Sequence, residues 1–205
     1  MGEGDDHRLL AATGMSPSRP DYAVNDRSIP LAFNHVGLTV PDIFAAIDWY
    51  GELFGATHIM GPRLLTATDS ATHETPGIFG KRFRSAYQAH LLLANGVGLE
   101  LFQFIEPAVE LTAENMPYWQ RGPFHIALTY PDVDGLVAKI CARGGRKRNE
   151  PTDFVPGRPW RLCYCEDPWG TVIEIMSASY AEMFGNWPQP GMTEAAQMIE
   201  RPRPA

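Results

Sequence analysis

The chain has 205 residues, of which 44% are hydrophobic, and a formal net charge of -7 at pH 7. This length and composition allow a sizeable buried core and predict a globular protein. The negative charge argues against nucleic acid and anionic membranes as partners, because both are bound through clustered positive side chains. No apolar run is long enough for a signal sequence or a membrane span, and we expect a cytoplasmic protein.

The cysteine content argues against a fold held together by disulfides. The chain has 3 cysteines, an odd number. We expect Cys163 and Cys165 to point to opposite faces of one strand, which also argues against a zinc ribbon. Reduced, buried thiols are therefore predicted.

The first predicted elements are a strand and a helix. Residues 1–30 show no sustained hydrophobic period and are expected to form a disordered leader arm. A strand is predicted over residues 33–40, and the Pro-Asp pair at its end favours the start of a helix. Apolar residues then recur at helical spacing up to Leu53, and Gly55 suits a left-handed helix end.

Three more strands complete the first half. A short strand over residues 57–60 leads into a Thr/Ser/Pro/Gly-rich insertion over residues 61–84, which is long enough for a lid or specificity element, with an ordinary surface loop as the alternative. Two further strands are joined by Asn95-Gly96, a pair that favours the positive φ angles of a tight hairpin turn. The predicted order is βαβββ.

The second half repeats this order. A strand over residues 124–130 is followed by a helix from Val133 and by a hairpin of two strands within residues 161–176. The stretch NHVGLTVPDIFAAIDWYGELFGA has the same layout as FHIALTYPDVDGLVAKICARGGR, which indicates an internal duplication. The predicted division is a leader over 1–30, a first module over 31–106, a linker over 107–122, a second module over 123–177 and a tail over 178–205. The aromatic tail is expected to cover the pocket or to pack across a dimer interface.

Each predicted module opens with a strand histidine and closes with a strand glutamate: His35 and Glu100, then His125 and Glu174. A single histidine in an apolar strand is more often structural, but four residues at matching places of a repeat favour a common role. An unpaired buried carboxylate is costly, so a cation held by all four is predicted. Two imidazoles and two carboxylates suit Zn, Ni, Co, Mn or Fe(II) better than Ca or Mg.

The segments FHIALTYPDVDGL and EDPWGTVIEIM resemble the vicinal-oxygen-chelate superfamily, which includes glyoxalase I, methylmalonyl-CoA epimerase, extradiol dioxygenases and bleomycin-resistance proteins. The resemblance implies an α+β fold in which two tandem βαβββ modules form a metal-lined concave sheet. It also implies one divalent metal ion, a small-molecule substrate and a homodimer. The dioxygenases generally lack the first closing glutamate, so Glu100 favours the isomerase, epimerase and lyase branch.

For this branch the resemblance implies action on a small carbonyl or carboxylate compound through a metal-stabilised enediolate, with Glu174 and Glu100 as catalytic carboxylates. Glyoxalase I usually carries glutathione-binding arginine and asparagine where this chain has Thr39 and Phe104. The alternatives are an Fe(II)-dependent extradiol-type dioxygenase and a metal-free ligand-sequestering resistance protein. His90 is a further candidate acid or base, with a structural role as its alternative.

Overall fold

The computed structural model describes residues 31–68, 78–110 and 118–185. The predicted leader arm lies outside these residues, as do parts of the insertion, the linker and the tail (residues 69–77, 111–117 and 186–205). Within the described ranges, no helix has the length and apolar character needed to cross a membrane.

The first module has the predicted βαβββ order. Its elements are β1 (His35–Thr39), α1 (Ile43–Phe54), β2 (Thr57–Thr66), β3 (Ser85–Leu92) and β4 (Gly98–Glu106). The four strands form one sheet in the order β1-β4-β3-β2. β1 runs parallel to β4, and the other neighbours are antiparallel. β1 therefore lies at one end of the sheet beside the strand that carries Glu100.

The second module repeats this topology with one difference. Its elements are β5 (Ile126–Thr129), α2 (Val133–Ala142), β6 (Arg146–Lys147), β7 (Thr152–Asp153), β8 (Arg161–Glu166), β9 (Val172–Met176) and α3 (Tyr180–Phe184). The sheet order is β5-β9-β8-β6, and β7 also pairs with β8. Two short strands, β6 and β7, thus stand where the first module has the long strand β2. β5 again lies at the sheet end, parallel to β9.

The two long helices begin where the Pro-Asp pairs predict. Asp42 Oδ1 accepts hydrogen bonds from the amides of Phe44 and Ala45 at 3.0 and 3.1 Å. Asp132 Oδ1 accepts one from the amide of Gly135 at 2.9 Å. Such caps satisfy amides that have no partner within the helix, and each stabilises it by about 1 kcal/mol.

One apolar core joins the helices to both sheets. The buried face of α1 and that of α2 belong to the same cluster of packed side chains. On β4, Leu99 and Leu101 point into this cluster, and Ile173 and Ile175 do so on β9. Because side chains alternate along a strand, the residue between each pair projects from the opposite face of its sheet. Those residues are the two predicted site glutamates.

Polar contacts between α1 and the second module fix the junction of the two modules. The indole Nε1 of Trp49 donates to the carbonyl of Arg143 at 3.0 Å. The buried hydroxyl of Tyr50 donates to Asp167 Oδ2 at 2.8 Å. An ion pair between Glu52 and Arg143 lies at the surface beside them. Burial, and then the nearby Asp167 charge, raise the pKa of Tyr50 well above its ordinary value, so the phenol remains a donor.

We expect Tyr50→Phe to lower the free energy of unfolding by about 1.5–3 kcal/mol, the usual worth of a hydrogen bond to a charged group. Asp167 is buried and would keep only the bonds to its Oδ1 from the amides of Trp169 and Thr171. Urea unfolding measures the loss. Tyr118→Phe, which changes an exposed ring, is the control and should stay within about 0.5 kcal/mol of the parent. Equal midpoints for both variants would contradict this role of Tyr50.

The turn between β3 and β4 differs from the predicted one. Gly96 has a φ of 80°. Asn95 does not have the positive φ that the predicted turn needs, because among the described residues only glycines have positive φ angles. The amide of Gly96 donates to the carbonyl of Leu93, and the amide of Leu93 donates to that of Val97. This longer loop requires one left-handed residue, at Gly96, rather than two.

The predicted extent of β2 was wrong. The strand continues through Gly61-Pro62 to Thr66 and pairs with β3 along its length, with register shifts near Met60. Proline has no backbone N–H to donate. It is tolerated there because β2 is the edge strand of its sheet, and the outer side of an edge strand makes no hydrogen bonds to a neighbouring strand. The segment between β2 and β3 is therefore shorter than the predicted 61–84 insertion.

The predicted orientation of the cysteine pair was also wrong. Cys163 and Cys165 are both buried, and their Sγ atoms lie 3.8 Å apart. Residues two apart on a strand share a face, so Tyr164 between them is the one that points the other way. All three cysteines are free thiols, as expected, but Cys141 is exposed rather than buried.

The described start of the tail packs against the second module. Helix α3 buries Met183 in a small apolar cluster with Val155, Trp160 and Met176. This segment therefore belongs to the core of its own chain. The remainder of the predicted tail, including Trp187, lies outside the described residues.

Candidate active site

The first module brings His35 and Glu100 together. His35 opens β1, Glu100 lies in the neighbouring parallel strand β4, and His35 Nε2 is 3.5 Å from Glu100 Oε2. The other ring nitrogen of His35, Nδ1, is 2.7 Å from Asn34 Oδ1. The imidazole is half exposed, with 51% of its side chain accessible, whereas the carboxylate is largely covered.

A chain of hydrogen bonds holds Glu100 from the side of β3. Gln88 Nε2 donates to Glu100 Oε1 at 2.6 Å, and Arg63 Nε donates to Gln88 Oε1 at 2.9 Å. His90 is the direct ladder neighbour of Glu100, with its Nε2 3.8 Å from Oε1. Burial lowers the pKa of His90, and its buried Nε2 has no hydrogen-bond partner among the described residues. The Glu100 carboxylate is thus fixed by neutral and positive neighbours.

The second module brings His125 and Glu174 together in the same way. His125 immediately precedes β5, and its Nε2 is 3.3 Å from Glu174 Oε2. Nδ1 of His125 is buried and has no hydrogen-bond partner within the described ranges. Glu174 lies on β9 and is only 7% exposed. This pair is more deeply covered than the first.

Tyr164 lies beside the second pair. It is the ladder neighbour of Glu174, and its ring meets that of His125 edge-on, with centroids 5.4 Å apart. Burial, then the Glu174 charge and a hydrogen bond to it, raise the pKa of Tyr164 to about 12. Sequence reasoning did not single out Tyr164. The alternation of Cys163, Tyr164 and Cys165 was the signal that could have found it.

The strand registers of the two modules are equivalent at the site. In the first module, Gly37 pairs with Glu100, and in the second Ala127 pairs with Glu174. In both cases the residue two positions after the histidine faces the glutamate. The duplication therefore extends to the geometry of the two His–Glu pairs.

Each His–Glu pair can supply half of the ligands of one metal ion, so each pair is called a half-site. Ligand atoms about 2.0–2.2 Å from one ion, at angles near those of a tetrahedron or octahedron, are roughly 3.0–3.5 Å apart, as the paired Nε2 and carboxylate atoms are here. Residues 31–68, 78–110 and 118–185 contain no group of three or more His, Cys, Asp and Glu side chains that could hold a metal ion. The structure thus brings His35 to Glu100 and His125 to Glu174, but does not gather all four in one chain.

Cavities lie beside β1 and β5. One cavity of about 380 Å³ is lined by Val36, Gly37 and Leu38 of β1 and by His125 and Ile126 at the start of β5. A larger one of about 620 Å³ is lined by residues 127–130, which include β5, and by parts of α1 and α2. A third cavity, of about 400 Å³, contains His35, His90 and Glu100. Each half-site therefore borders a space that another group can enter.

Comparison with known proteins agrees with this architecture. A protein named 2-epi-5-epi-valiolone epimerase, from an Actinomyces species, is 28% identical over 156 residues, which are 74% of this chain and 82% of that protein. The crystal structure of a glyoxalase family protein from Bacillus cereus has a TM-score of 0.59 and 21% identity, covering 73% of this chain and 95% of the other. A structure of the fosfomycin resistance protein FosX from Listeria monocytogenes has a TM-score of 0.51 and 16% identity, covering 76% and 100%. Both likenesses show the fold.

The family comparison covers most of the chain. A sequence model described as the Glyoxalase/Bleomycin resistance protein/Dioxygenase superfamily matches residues 32–175. This range includes most of both modules and all four predicted ligands. The chain therefore belongs to the Glyoxalase/Bleomycin resistance protein/Dioxygenase superfamily.

Proposed function

We propose that the protein is a metal-dependent enzyme of the isomerase, epimerase or lyase type that acts on a small compound with a C–H bond beside a carbonyl group. The main observation is the repeated pair of an imidazole Nε2 and a carboxylate oxygen, 3.5 and 3.3 Å apart, at equivalent registers of the two modules. Similarity to an enzyme named as an epimerase favours epimerisation within this group.

In this proposal His35, Glu100, His125 and Glu174 hold one divalent ion. When bound, such an ion would supply Lewis-acid stabilisation of the negative charge that develops when the C–H bond beside the carbonyl is deprotonated. Glu174 accepts the proton from carbon, since a covered carboxylate beside a cation can accept and return a proton. Glu100 comes from the other module; it carries a proton at the start of the cycle and delivers it to the opposite face, which inverts the carbon. Both carboxyl groups then exchange protons with solvent.

We propose further that two copies of the chain complete the site. β1 and β5 are the end strands of their sheets, and cavities lie beside them. A twofold axis that places β1 of one copy beside β5 of the other would bring a His–Glu pair from each copy face to face. Each dimer would then contain two complete metal centres.

The dioxygenase alternative assigns no ligand role to Glu100. Its carboxylate lies beside His35 much as that of Glu174 lies beside His125. Gln88 and Arg63 hold it there. This equal placement supports a four-ligand site over one with three ligands.

The proposed reaction is tested with protein loaded separately with Mn, Co, Ni, Zn and Fe(II), and with 2-epi-5-epi-valiolone and small α-hydroxy ketones as substrates in D₂O. The expected result is metal-dependent epimerisation with one deuterium incorporated beside the carbonyl. Oxygen consumption that requires Fe(II) would reject epimerisation in favour of the dioxygenase. Failure of the protein to bind any of these metals would reject the proposal as a whole.

We expect no appreciable turnover of the hemithioacetal of methylglyoxal and glutathione with any of these metals. The position at which glyoxalase I carries an asparagine for glutathione is Phe104, whose ring stacks on Phe102 and packs against Phe79 and Phe83. No amide or guanidinium is available there, and Thr39 replaces the arginine. Following lactoylglutathione by absorbance checks this prediction. Efficient product formation would show that the two replacements do not exclude glutathione.

A further inference from the structure

Tyr164 is placed to contact the Glu174 carboxylate directly. The two residues are opposite each other in the antiparallel ladder of β8 and β9. Side chains at such positions project from the same face, with Cβ atoms about 4.5–5.5 Å apart. The Glu174 charge and a hydrogen bond to that carboxylate both raise the pKa of Tyr164, which places the phenol beside it. Because Glu174 is almost fully covered, water has little access to replace this donor.

The same ring also contacts the other member of the pair. Its edge meets the imidazole of His125, with an angle of 75° between the ring planes. Tyr164 is held in place because both of its chain neighbours, Cys163 and Cys165, are fully buried on the other face of β8. One fixed side chain thus lies beside both the imidazole of His125 and the carboxylate of Glu174.

The first module achieves the same result with other residues. Glu100 receives its neutral hydrogen bond from Gln88, which Arg63 holds in turn. The ladder position that corresponds to Tyr164 is occupied by His90. Each carboxylate therefore has one neutral donor from the adjacent antiparallel strand. In the second module this donor is Tyr164.

We propose that Tyr164 is a positioning residue for metal binding: its hydroxyl holds the Glu174 carboxylate in the orientation that faces His125 Nε2. This inference rests on the proposed metal site. A carboxylate without that bond is free to rotate, so the ion must then order it on binding. Loss of a partner that orients a metal ligand typically weakens metal binding by about 10–100-fold.

The test compares Tyr164→Phe with the parent protein by titration with Co²⁺, whose visible absorption reports its ligands. The expected result is a 10–100-fold weaker affinity and a changed spectrum at saturation. Tyr87→Phe is the matched control, because Tyr87 lies on β3 and packs against the helix-side core.

The outcomes separate this inference from the proposed function. If the parent binds Co²⁺ and Tyr164→Phe binds it equally tightly, the positioning role is rejected and the metal site stands. If Tyr87→Phe weakens binding as much as Tyr164→Phe does, the effect is a general one and the positioning role is again rejected. If the parent itself binds neither Co²⁺ nor the other divalent metals, the proposed function is rejected and this inference with it.

Discussion

Replacing His35 or His125 by alanine is expected to remove most of the bound metal while leaving a folded protein. Each change deletes the nitrogen donor of one His–Glu pair. Changes to residues that merely orient a ligand cost about 10–100-fold in affinity, so the loss of a ligand itself should exceed about 100-fold. Elemental analysis after dialysis against metal-free buffer measures the metal retained per chain.

The folded state should tolerate both changes. The His35 side chain is half exposed, and Nδ1 of His125 already has no partner among the described residues. His58→Ala is the matched control, because this histidine is exposed and its Nε2 pairs with the carbonyl of Met60. It should retain the parental metal content. Normal metal content in both His35→Ala and His125→Ala would reject the proposed ligands.

Glu174→Gln is expected to retain part of its metal and to lose turnover by roughly two to four orders of magnitude, the usual contribution of a general base. Glutamine keeps the shape of the side chain and one oxygen for the ion, and it can still accept the hydrogen bond from Tyr164. It cannot accept a proton from carbon at ordinary pH. Turnover per bound metal, with deuterium exchange from solvent as a second measurement, separates loss of the base from loss of the ion.

Glu100→Gln is the informative comparison for this variant. If Glu174 removes the proton and Glu100 delivers one to the other face, Glu100→Gln should still exchange deuterium into the starting epimer but should form little of the inverted product. Activity in Glu174→Gln that returns fully with excess metal would show that Glu174 only holds the ion. Near-parental exchange in the fully metallated variant would assign the base role elsewhere.

The features that sequence predicted correctly depend on local patterns. The apolar period of α1 and α2 and the Asp caps are readable because helix faces and helix starts are set by residues close in the chain. The duplication was readable because both modules carry the same elements in the same order. That repeat also placed His35 beside Glu100 and His125 beside Glu174, since parallel pairing of the first and last strands of a module fixes which residues adjoin.

The features that sequence missed depend on contacts across strands. Gln88 and Tyr164 gain their roles only from the registers that set them near Glu100 and opposite Glu174. The extension of β2 through Pro62 was missed because proline usually ends a strand unless the strand is an edge. The assembly of all four ligands into one centre stays a prediction, because it depends on how two sheet edges meet.

The most direct test of a metal centre shared between two copies is the metal bound by His35→Ala and His125→Ala chains that are co-expressed and purified together. In a mixed dimer, one centre lacks both histidines and the other has both intact. With random assortment, half the dimers are mixed, so the mixture should bind about a quarter of the parental metal, although each variant alone binds little. Metal content no higher than that of the separate variants would contradict the proposed centre.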